Sequence, residues 1–276
     1  MCLIVFAWRS HPDYPLVVVG NRDEFYARRT RPAAWWGQAV SLLAGRDEEA
    51  GGTWMGITRE GRFAALTNVR APTERNPHAA SRGELVLSAL QSRGAAADWL
   101  DEQSPRFSAY NGFNLLVGDV WPTEDRSPAL YYHSNRHGLS APRALDAGVY
   151  GVSNAALNTS WPKLNRAVAG VSLQIAQKVD VEGLMTVFAD RRRARSADLP
   201  KTGVPLAWER ALSAIQIRAL GYGTRSTTVI TVRTDGLVQF VERSFDPAEP
   251  ESHTDRHYEF SLARRVPVSE APGDLP

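Results

Sequence analysis

The only cysteine among the 276 residues of this chain is Cys2. Methionine aminopeptidase removes Met1 when the second residue is small, as cysteine is, so the mature chain would begin with a thiol and a free α-amine on one residue. An unperturbed α-amine has a pKa of roughly 7.7–8.0, and near neutral pH it can accept the thiol proton. Cys2 is therefore a candidate nucleophile; the alternative is a small apolar side chain that fills a buried strand.

A polar cluster at residues 21–24 lies where a predicted hairpin would bring it beside Cys2. The apolar runs 2–8 and 16–19 are joined by a turn-forming segment, a pattern typical of a β-hairpin. An arginine of the cluster could hold a carboxylate, and that carboxylate could orient the α-amine or the thiol. The alternative is a solvated turn that contains an ion pair worth about 0–1 kcal/mol.

Two asparagines follow predicted strands and carry amides suited to an oxyanion. Asn68 ends a predicted hairpin over 53–68, and Asn154 ends a predicted strand over 148–154. Loss of one oxyanion donor can cost on the order of 10²–10³ in rate, although asparagine at a strand end is also a common turn residue. Arg225 precedes a strong strand and could bind an anion or lie in solvent.

The sequence predicts no metal site and no bound cofactor. Two histidine pairs are spaced four apart, His133 with His137 and His253 with His257. That spacing binds a metal ion from one face of a helix, but the first pair starts in a predicted strand and the second lies in a polar tail. The sequence also lacks a phosphate-binding loop and a dinucleotide-binding fingerprint.

The composition is that of a soluble globular protein, with 43% apolar and 22% charged residues. The net charge of +2, from 32 basic and 30 acidic residues, gives no case for nucleic-acid binding. No apolar run approaches the roughly 20 residues of a membrane span, and the first residues lack the basic segment of a signal peptide. A single cysteine forms no internal disulfide. We expect a cytoplasmic protein.

Hairpins with helices gathered between them predict an α+β fold. The order of elements is strands, helices, strands, helices, strands, and several strands are apolar on both sides. We expect two stacked antiparallel sheets covered by helices, as one domain over 1–276. Residues 28–53 are expected to be irregular apart from a short strand at 40–43, and the tail after about 247 is expected to fray.

Six motifs in order resemble the NRDE family, which is also called the transport and Golgi organization protein 2 family. They are MCLIVF at 1–6, GNRDEFY at 20–26, GGTWMG at 51–56, ALTNVR at 65–70, YGVSN at 150–154 followed by WPK at 161–163, and YGTRSTT at 222–228. The match extends from residue 1 to about residue 245.

The NRDE family is in turn similar to the N-terminal nucleophile hydrolases, whose fold is a four-layer αββα sandwich. The closer similarity is to choloylglycine hydrolases and the penicillin V acylase group, in which a mature N-terminal cysteine attacks an amide. The resemblance implies these roles by motif: Cys2 as the nucleophile, Asp23 as the carboxylate that orients the amine, Arg22 or Asn21 as the electrostatic partner, Asn68 and Asn154 at the oxyanion, and Arg225 as the late arginine of the site.

The resemblance implies two functions from different classes. One is a hydrolase or acyltransferase for a linear amide or thioester, in which Cys2 attacks the carbonyl and Asn21 and Trp54 contact the substrate. The other, implied by the eukaryotic members, is a carrier or trafficking protein for haem, or for acyl-CoA or another lipid, with the same fold and no catalysis. Trp35, Trp36 and Trp54 could then line an apolar pocket, although aromatic residues pack in a core more often.

Overall fold

A computed structural model describes residues 2–37, 41–123, 126–136, 138, 141–249 and 251–262 of the chain. The strands are β1 (Cys2–Trp8), β2 (Leu16–Phe25), β3 (Thr30–Trp36), β4 (Leu42–Asp47), β5 (Met55–Thr58), β6 (Arg62–Asn68), β7 (Phe113–Asp119), β8 (Ala129–Ser134), β9 (Arg143–Ala144), β10 (Gly148–Val152), β11 (Arg218–Ala219), β12 (Tyr222–Val232), β13 (Leu237–Phe245) and β14 (His253–Ser261). The helices are α1 (Gly83–Gln91), α2 (Ala96–Gln103), α3 (Pro162–Gln177), α4 (Val181–Phe188) and α5 (Leu206–Ala211), and short 3₁₀ turns occur at Pro72–Glu74, Ser104–Ala109 and Ser196–Asp198.

The strands form two antiparallel sheets. In the first sheet the order is β10, β1, β2, β12, β13, β14, with the short β11 paired to β12. In the second sheet β3 to β9 follow one another in the order of the sequence. Strand β2, which carries the polar cluster at its end, lies between β1 and β12. Strands from both ends of the chain therefore surround that cluster.

Both faces of β1 are buried, because its alternate side chains enter two different cores. Ile4 and Phe6 pack between the two sheets, together with Ile57 of the second sheet. Leu3 and Val5 point the other way and pack against helices α3 and α4. The outer face of the second sheet packs against α1 and α2. The layers are helix, sheet, sheet and helix, so the predicted αββα sandwich is confirmed.

The segment 28–53 contains two strands in place of the predicted irregular loop. Strands β3 and β4 pair with each other, and their register shifts around Pro32. Strand β3 is an edge of the second sheet, and most of its side chains are partly or fully exposed. Proline is tolerated at a bulge of an edge strand, and an exposed edge lacks the continuous apolar run that indicates a strand. Of the strand predicted at 40–43, residue 40 lies outside the described residues, and β4 begins at Leu42.

The prediction that the tail after about 247 frays is wrong for residues 253–261, which form β14. This strand pairs with β13 along its whole length. Because β14 is an edge strand with few buried side chains, its sequence lacks the apolar alternation of a half-buried strand. The backbone ladder to β13 holds it in place. Residues 263–276 lie outside the described part of the chain.

Helix α3 spans 16 residues and covers the first sheet. Its buried stripe, formed by Leu164, Ala167, Val171 and Ile175, has the spacing of one helical face. Pro162 at the first turn is compatible with the helix, because the backbone N–H groups there have no partner within the helix. Among the described residues, no helix combines the length and the apolar character needed to cross a membrane.

Candidate active site

The hairpin of β1 and β2 places Cys2 directly opposite Arg22. Directly paired residues of antiparallel strands project to the same face of a sheet, so both side chains lie on the face turned toward the second sheet. Asp23 is the next residue, and alternation directs its side chain toward the helix layer, where its register partner is Thr224 of β12. The predicted approach of Cys2 to the polar cluster is confirmed by this register.

Cys2 lines a cavity of about 380 Å³, although only 8% of the residue surface is exposed. Arg22, Asp23 and Asn68 line the same cavity, and Trp54 forms part of its wall. The fold thus brings predicted site residues from β1, β2 and the end of β6 around one space. A space of this volume can hold a group of a small-molecule ligand.

Arg22 is held between an aromatic ring and a carboxylate. Its guanidinium carbon lies 4.5 Å from the centroid of the Trp54 ring, and its Nη2 lies 3.4 Å from Asp47 Oδ2. Gly45 makes room for the indole, because a Cβ at this position would lie 2.3 Å from Trp54 Cη2. The Nη1 atom of Arg22 is buried and has no hydrogen-bond partner in the described residues. One guanidinium donor therefore remains unused beside the cavity.

Burial controls the protonation of both Cys2 and Asp23. It raises the pKa of the Cys2 thiol, and the Asp23 carboxylate raises that pKa further, while the Arg22 guanidinium lowers it. A thiol that resists ionisation needs a base to take its proton. Burial also raises the pKa of Asp23, but the charge of Lys163 and the Thr224 hydroxyl, 2.7 Å from Oδ1, stabilise the carboxylate.

Asn68 and Asn154 lie at the same edge of the two sheets and have different partners. The Asn154 side-chain amide donates to the Asn68 carbonyl at 2.9 Å and to the Cys2 carbonyl at 3.5 Å. In the part of the chain that the structure describes, the Asn68 side chain forms no hydrogen bond, and it lines the cavity. The Asn68 amide is thus available to a bound molecule, whereas Asn154 positions the backbone around Cys2.

A buried group of charged residues near Asp23 was not predicted from the sequence. Arg70 Nη1 donates to Glu209 Oε2 at 2.7 Å, and Arg70 Nη2 donates to Asn154 Oδ1 at 3.4 Å. Lys163 is 2% exposed, and its Nζ has no hydrogen-bond partner among the described residues. Burial lowers the pKa of Lys163 to about 8, and the Asp23 carboxylate opposes this effect. The sequence signal for this group is that Arg70 and Lys163 end two of the family motifs.

Asn21 and Arg225 hold backbone segments and do not line the cavity. The Asn21 amide donates to the carbonyls of Phe188 at 3.2 Å and Ile215 at 2.9 Å, because alternation along β2 turns it toward the helix layer. The Arg225 guanidinium donates to three backbone carbonyls within 25–28. The geometry therefore gives no support to Asn21 as a substrate contact or to Arg225 as a site arginine.

The tryptophans expected to line one apolar pocket are in different places. Trp54 lines the cavity beside Cys2. Trp35 packs edge-on against Phe260, with ring centroids 4.9 Å apart, and Trp36 Nε1 donates to the Ala44 carbonyl at 2.9 Å. Trp35 thus packs against β14 of the first sheet, and Trp36 bonds to β4 of the second sheet. These contacts give no support to a pocket shared with Trp54.

A second cavity, of about 490 Å³, adjoins the first. Asn68, Arg28 and Arg82 line both cavities, so the two spaces share a wall. The remaining wall of the second cavity is largely apolar and includes Trp208 and Leu212. One polar and one apolar compartment therefore meet at the Asn68 side chain.

The arrangement provides a thiol, a buried carboxylate and a free amide around one space. These are the groups that acyl transfer through a thioester requires: a nucleophile, an orienting group and an oxyanion donor. Within the described ranges, no group of three or more His, Cys, Asp or Glu side chains is placed to hold a metal ion.

Solved structures similar to this chain include two from other organisms. The N-acylethanolamine-hydrolyzing acid amidase ortholog of Caenorhabditis elegans is 10% identical, with a TM-score of 0.46, and the match covers 83% of this chain and 92% of that chain. A variant of the conjugated bile acid hydrolase from Clostridium perfringens is 8% identical, with a TM-score of 0.46, and the match covers 96% of this chain and 99% of that chain. At these identities and scores, the likeness gives no information about the chemistry of this chain.

Similar sequences match this chain over almost its whole length. The Transport and Golgi organization 2 homolog of Mus musculus is 34% identical over 278 residues, which is 95% of this chain and 99% of the relative. The Transport and Golgi organization protein 2 homolog of Homo sapiens is 35% identical over 280 residues, which is 95% of this chain and 99% of the relative. The family model described as Transport and Golgi organisation 2 matches residues 1–247. The chain therefore belongs to the Transport and Golgi organisation 2 family.

Proposed function

We propose that this protein is a hydrolase or acyltransferase that cleaves a linear amide or thioester with Cys2 as its nucleophile. The observation that carries the proposal is the cavity that Cys2 shares with Asp23 and Asn68. A lone buried cysteine would be core filler, but this one borders a space that Asp23 and a free amide also line. Removal of Met1 is part of the proposal, because only then does Cys2 carry a free α-amine.

In the first half-reaction the α-amine takes the thiol proton and Cys2 Sγ attacks the substrate carbonyl carbon. Asp23 holds the resulting α-ammonium in place. Lys163 and Thr224 stabilise the charge of the Asp23 carboxylate. The Asn68 amide donates to the oxyanion of the tetrahedral intermediate. When the intermediate collapses, the bond to nitrogen or sulfur breaks, and the α-ammonium returns a proton to the leaving group.

The second half-reaction releases the acyl group from the Cys2 thioester. The α-amine takes a proton from a water molecule, which attacks the thioester carbonyl, or from an acceptor amine or thiol in a transferase. Collapse of the second intermediate frees the carboxylic acid or the new acyl product, and Cys2 regains its proton. The same three groups serve both halves, so the site needs no further residue to close the cycle.

The test combines intact mass with a screen of short acyl amides and acyl thioesters. The protein without Met1 is expected to hydrolyse a member of the screen, and Cys2→Ala is expected to lower that rate on the order of 10³-fold or more. A thiol-reactive acyl probe should label Cys2 in the same preparation. The matched control is the unchanged chain produced with methionine aminopeptidase inhibited, which retains Met1 and should be inactive.

A fully functional protein that retains Met1 would contradict the proposal, because its Cys2 nitrogen is a peptide amide and no base. The carrier alternative for haem or a lipid gives a different outcome. Under that alternative, Cys2→Ala and Cys2→Ser keep both ligand binding and biological function. Loss of turnover with ligand binding retained in Cys2→Ala supports the enzyme.

A further inference from the structure

We infer that the two adjoining cavities bind one amphiphilic molecule, with an apolar chain in the larger cavity and an anionic carboxylate or phosphate in the cavity that Cys2 lines. The cavities measure about 490 and 380 Å³ and meet at Asn68. The inference rests on the proposed function in one point only: the bond that is cleaved would lie between the apolar chain of the ligand and its anionic group. The binding of such a molecule is independent of catalysis.

The larger cavity is suited to an alkyl or acyl chain. Six of the residues that line it are large and apolar or aromatic: Phe25, Val69, Val204, Trp208, Leu212 and Tyr222. Tyr222 contacts both the Phe25 ring, at 5.1 Å between centroids, and the Trp208 ring, at 5.7 Å. This aromatic wall exposes apolar surface to the cavity. Binding of an apolar chain would be favourable because it removes that surface from water.

The smaller cavity has cations that lack an acidic partner. Arg75 and Arg82 line both cavities, and no carboxylate lies within 4.0 Å of either guanidinium among the described residues. Arg82 donates one hydrogen bond, from Nη1 to the Gly112 carbonyl at 2.9 Å. Burial lowers the pKa of Arg82, the charges of Glu24 and Cys2 oppose this effect, and the charge of Arg75 adds to it. An anion placed between the two arginines would relieve their repulsion.

The carboxylates of this cavity have cations of their own. Asp47 accepts from Arg28 Nε at 2.7 Å and from Arg22 at 3.4 Å, and Glu24 lies 4.0 Å from Arg28. Among the described residues, these acids form no ion pair with Arg75 or Arg82; the remaining acid, Asp23, interacts with Lys163 and Thr224.

Two further donors point to an anion in the same space. The buried Nη1 of Arg22 has no hydrogen-bond partner in the described part of the chain. The N-terminus of α1 lies at the cavity through Ser81 and Gly83, and no side chain caps it. An uncapped helix N-terminus and an unused guanidinium donor both favour a bound oxyanion.

The test measures binding to the Cys2→Ala protein, in which no turnover occurs. Calorimetry compares three ligands with one octanoyl chain: the neutral N-octanoylethanolamine, the carboxylate N-octanoylglycine, and the phosphate N-octanoyl-O-phosphoethanolamine. At least one anionic ligand is expected to bind about 10- to 100-fold more tightly than the neutral one, the range of a charge-assisted hydrogen bond. Arg82→Gln should reduce this ratio, and the exposed Arg93→Gln should leave it unchanged.

The comparison of the two anions decides between a carboxylate and a phosphate. Equal binding of all three ligands, or a ratio that Arg82→Gln does not change, would overturn the anionic subsite. N-acetylglycine tests the other cavity: if it binds as tightly as N-octanoylglycine, the apolar chain site is wrong. Turnover by the unchanged protein is a separate readout, so failure of the proposed function leaves these binding results intact.

Discussion

Asn154 donates its side-chain amide to the backbone carbonyl of Asn68 at 2.9 Å, which joins the segment after β10 in the first sheet to the end of β6 in the second. The Thr67 hydroxyl donates to the Ser153 carbonyl at 2.5 Å and adds a parallel link. These bonds occupy the Asn154 amide and leave the Asn68 side chain free to face the cavity. Two asparagines that the motifs present as equivalent therefore differ in their contacts: the Asn154 amide binds backbone carbonyls, and the Asn68 side chain faces the cavity.

Asn68→Ala and Asn154→Ala should separate the roles of the two side chains. Asn68→Ala is expected to lower kcat by about 10²–10³-fold with little change in the free energy of unfolding, because it removes only the proposed oxyanion donor. Asn154→Ala is expected to lower the free energy of unfolding by about 1–3 kcal/mol, since it removes the hydrogen bonds to the Asn68 and Cys2 carbonyls. Steady-state kinetics and urea unfolding measure the two effects.

The control for both asparagine variants is Asn165→Ala, on the exposed face of α3, where the side-chain amide donates to the Ser160 hydroxyl. It should change neither kcat nor stability appreciably. Equal losses of stability from Asn68→Ala and Asn154→Ala, with no difference in kcat, would show that the two side chains do not have separate roles.

The hairpin that carries Cys2 could be predicted from the sequence, and two other strands could not. Strands β1 and β2 are buried on both faces, so their burial appears directly as continuous apolar runs. Strands β3 and β14 are sheet edges, with side chains that are mostly exposed. Their positions depend on backbone pairing with a neighbour, and composition carries little trace of that pairing.

The Arg70–Glu209 pair shows why the charged part of the site could not be predicted. The two residues are 139 positions apart, and each by itself indicates a solvated side chain. Burial of both depends on their mutual contact, which only the assembled fold supplies. Arg22 is different: its place opposite Cys2 follows from the register of one local hairpin.

Lys163→Met tests whether this lysine sets the charge of Asp23. Removal of the ammonium should raise the pKa of the Asp23 carboxyl, because Lys163 lowers it in the native protein. If ionised Asp23 must hold the α-ammonium, the acid limb of kcat/KM moves to higher pH. The matched control is Lys178→Met at the exposed end of the same helix, which should leave the pH profile in place. An unshifted acid limb in Lys163→Met, with activity retained, would rule out this role.

Glu242 should make stability depend on pH. It is 1% exposed, and burial raises its pKa from 4.5 to about 7, although the Ala33 N–H and the Thr228 hydroxyl stabilise the ionised form. Below about pH 4.5 both the folded and the unfolded states are protonated. Between pH 4.5 and about 7, the Glu242 carboxyl group ionises in the unfolded chain and stays protonated in the folded chain. The stability that the raised pKa contributes is therefore lost as pH rises through about 7.

Glu242→Gln removes this titration, keeps the size of the side chain, and keeps one oxygen to accept from the Ala33 N–H. The free energy of unfolding of the variant, relative to the unchanged protein, should therefore increase by roughly 3 kcal/mol between pH 4.5 and pH 8. Urea unfolding at several pH values measures the difference. A difference in the free energy of unfolding that stays constant across that pH range would mean that Glu242 has the same pKa in the folded and unfolded states.

Arg62 links the second sheet to its helices through a buried ion pair. Arg62 Nε donates to Asp119 Oδ1 at 2.9 Å, and the side chains are 2% and 6% exposed. A second Arg62 nitrogen donates to the Ala89 carbonyl of α1 at 3.1 Å, and Asp119 Oδ2 accepts from the Ala96 N–H of α2 at 2.8 Å. Loss of either partner would leave a charge inside the protein.

Arg62→Met should lower the free energy of unfolding by about 3–5 kcal/mol, because the Asp119 carboxylate stays buried with only Arg126 as its cation. The double change Arg62→Met with Asp119→Leu should cost less than Arg62→Met alone, since it removes the buried carboxylate that the single change leaves with one cation. Arg31→Met, which breaks the surface pair with Glu48, is the control and should cost about 0–1 kcal/mol. Chemical denaturation of all three variants tests the point: a double variant less stable than Arg62→Met would mean that packing and hydrogen bonds of Asp119, and not its buried charge, determine the loss.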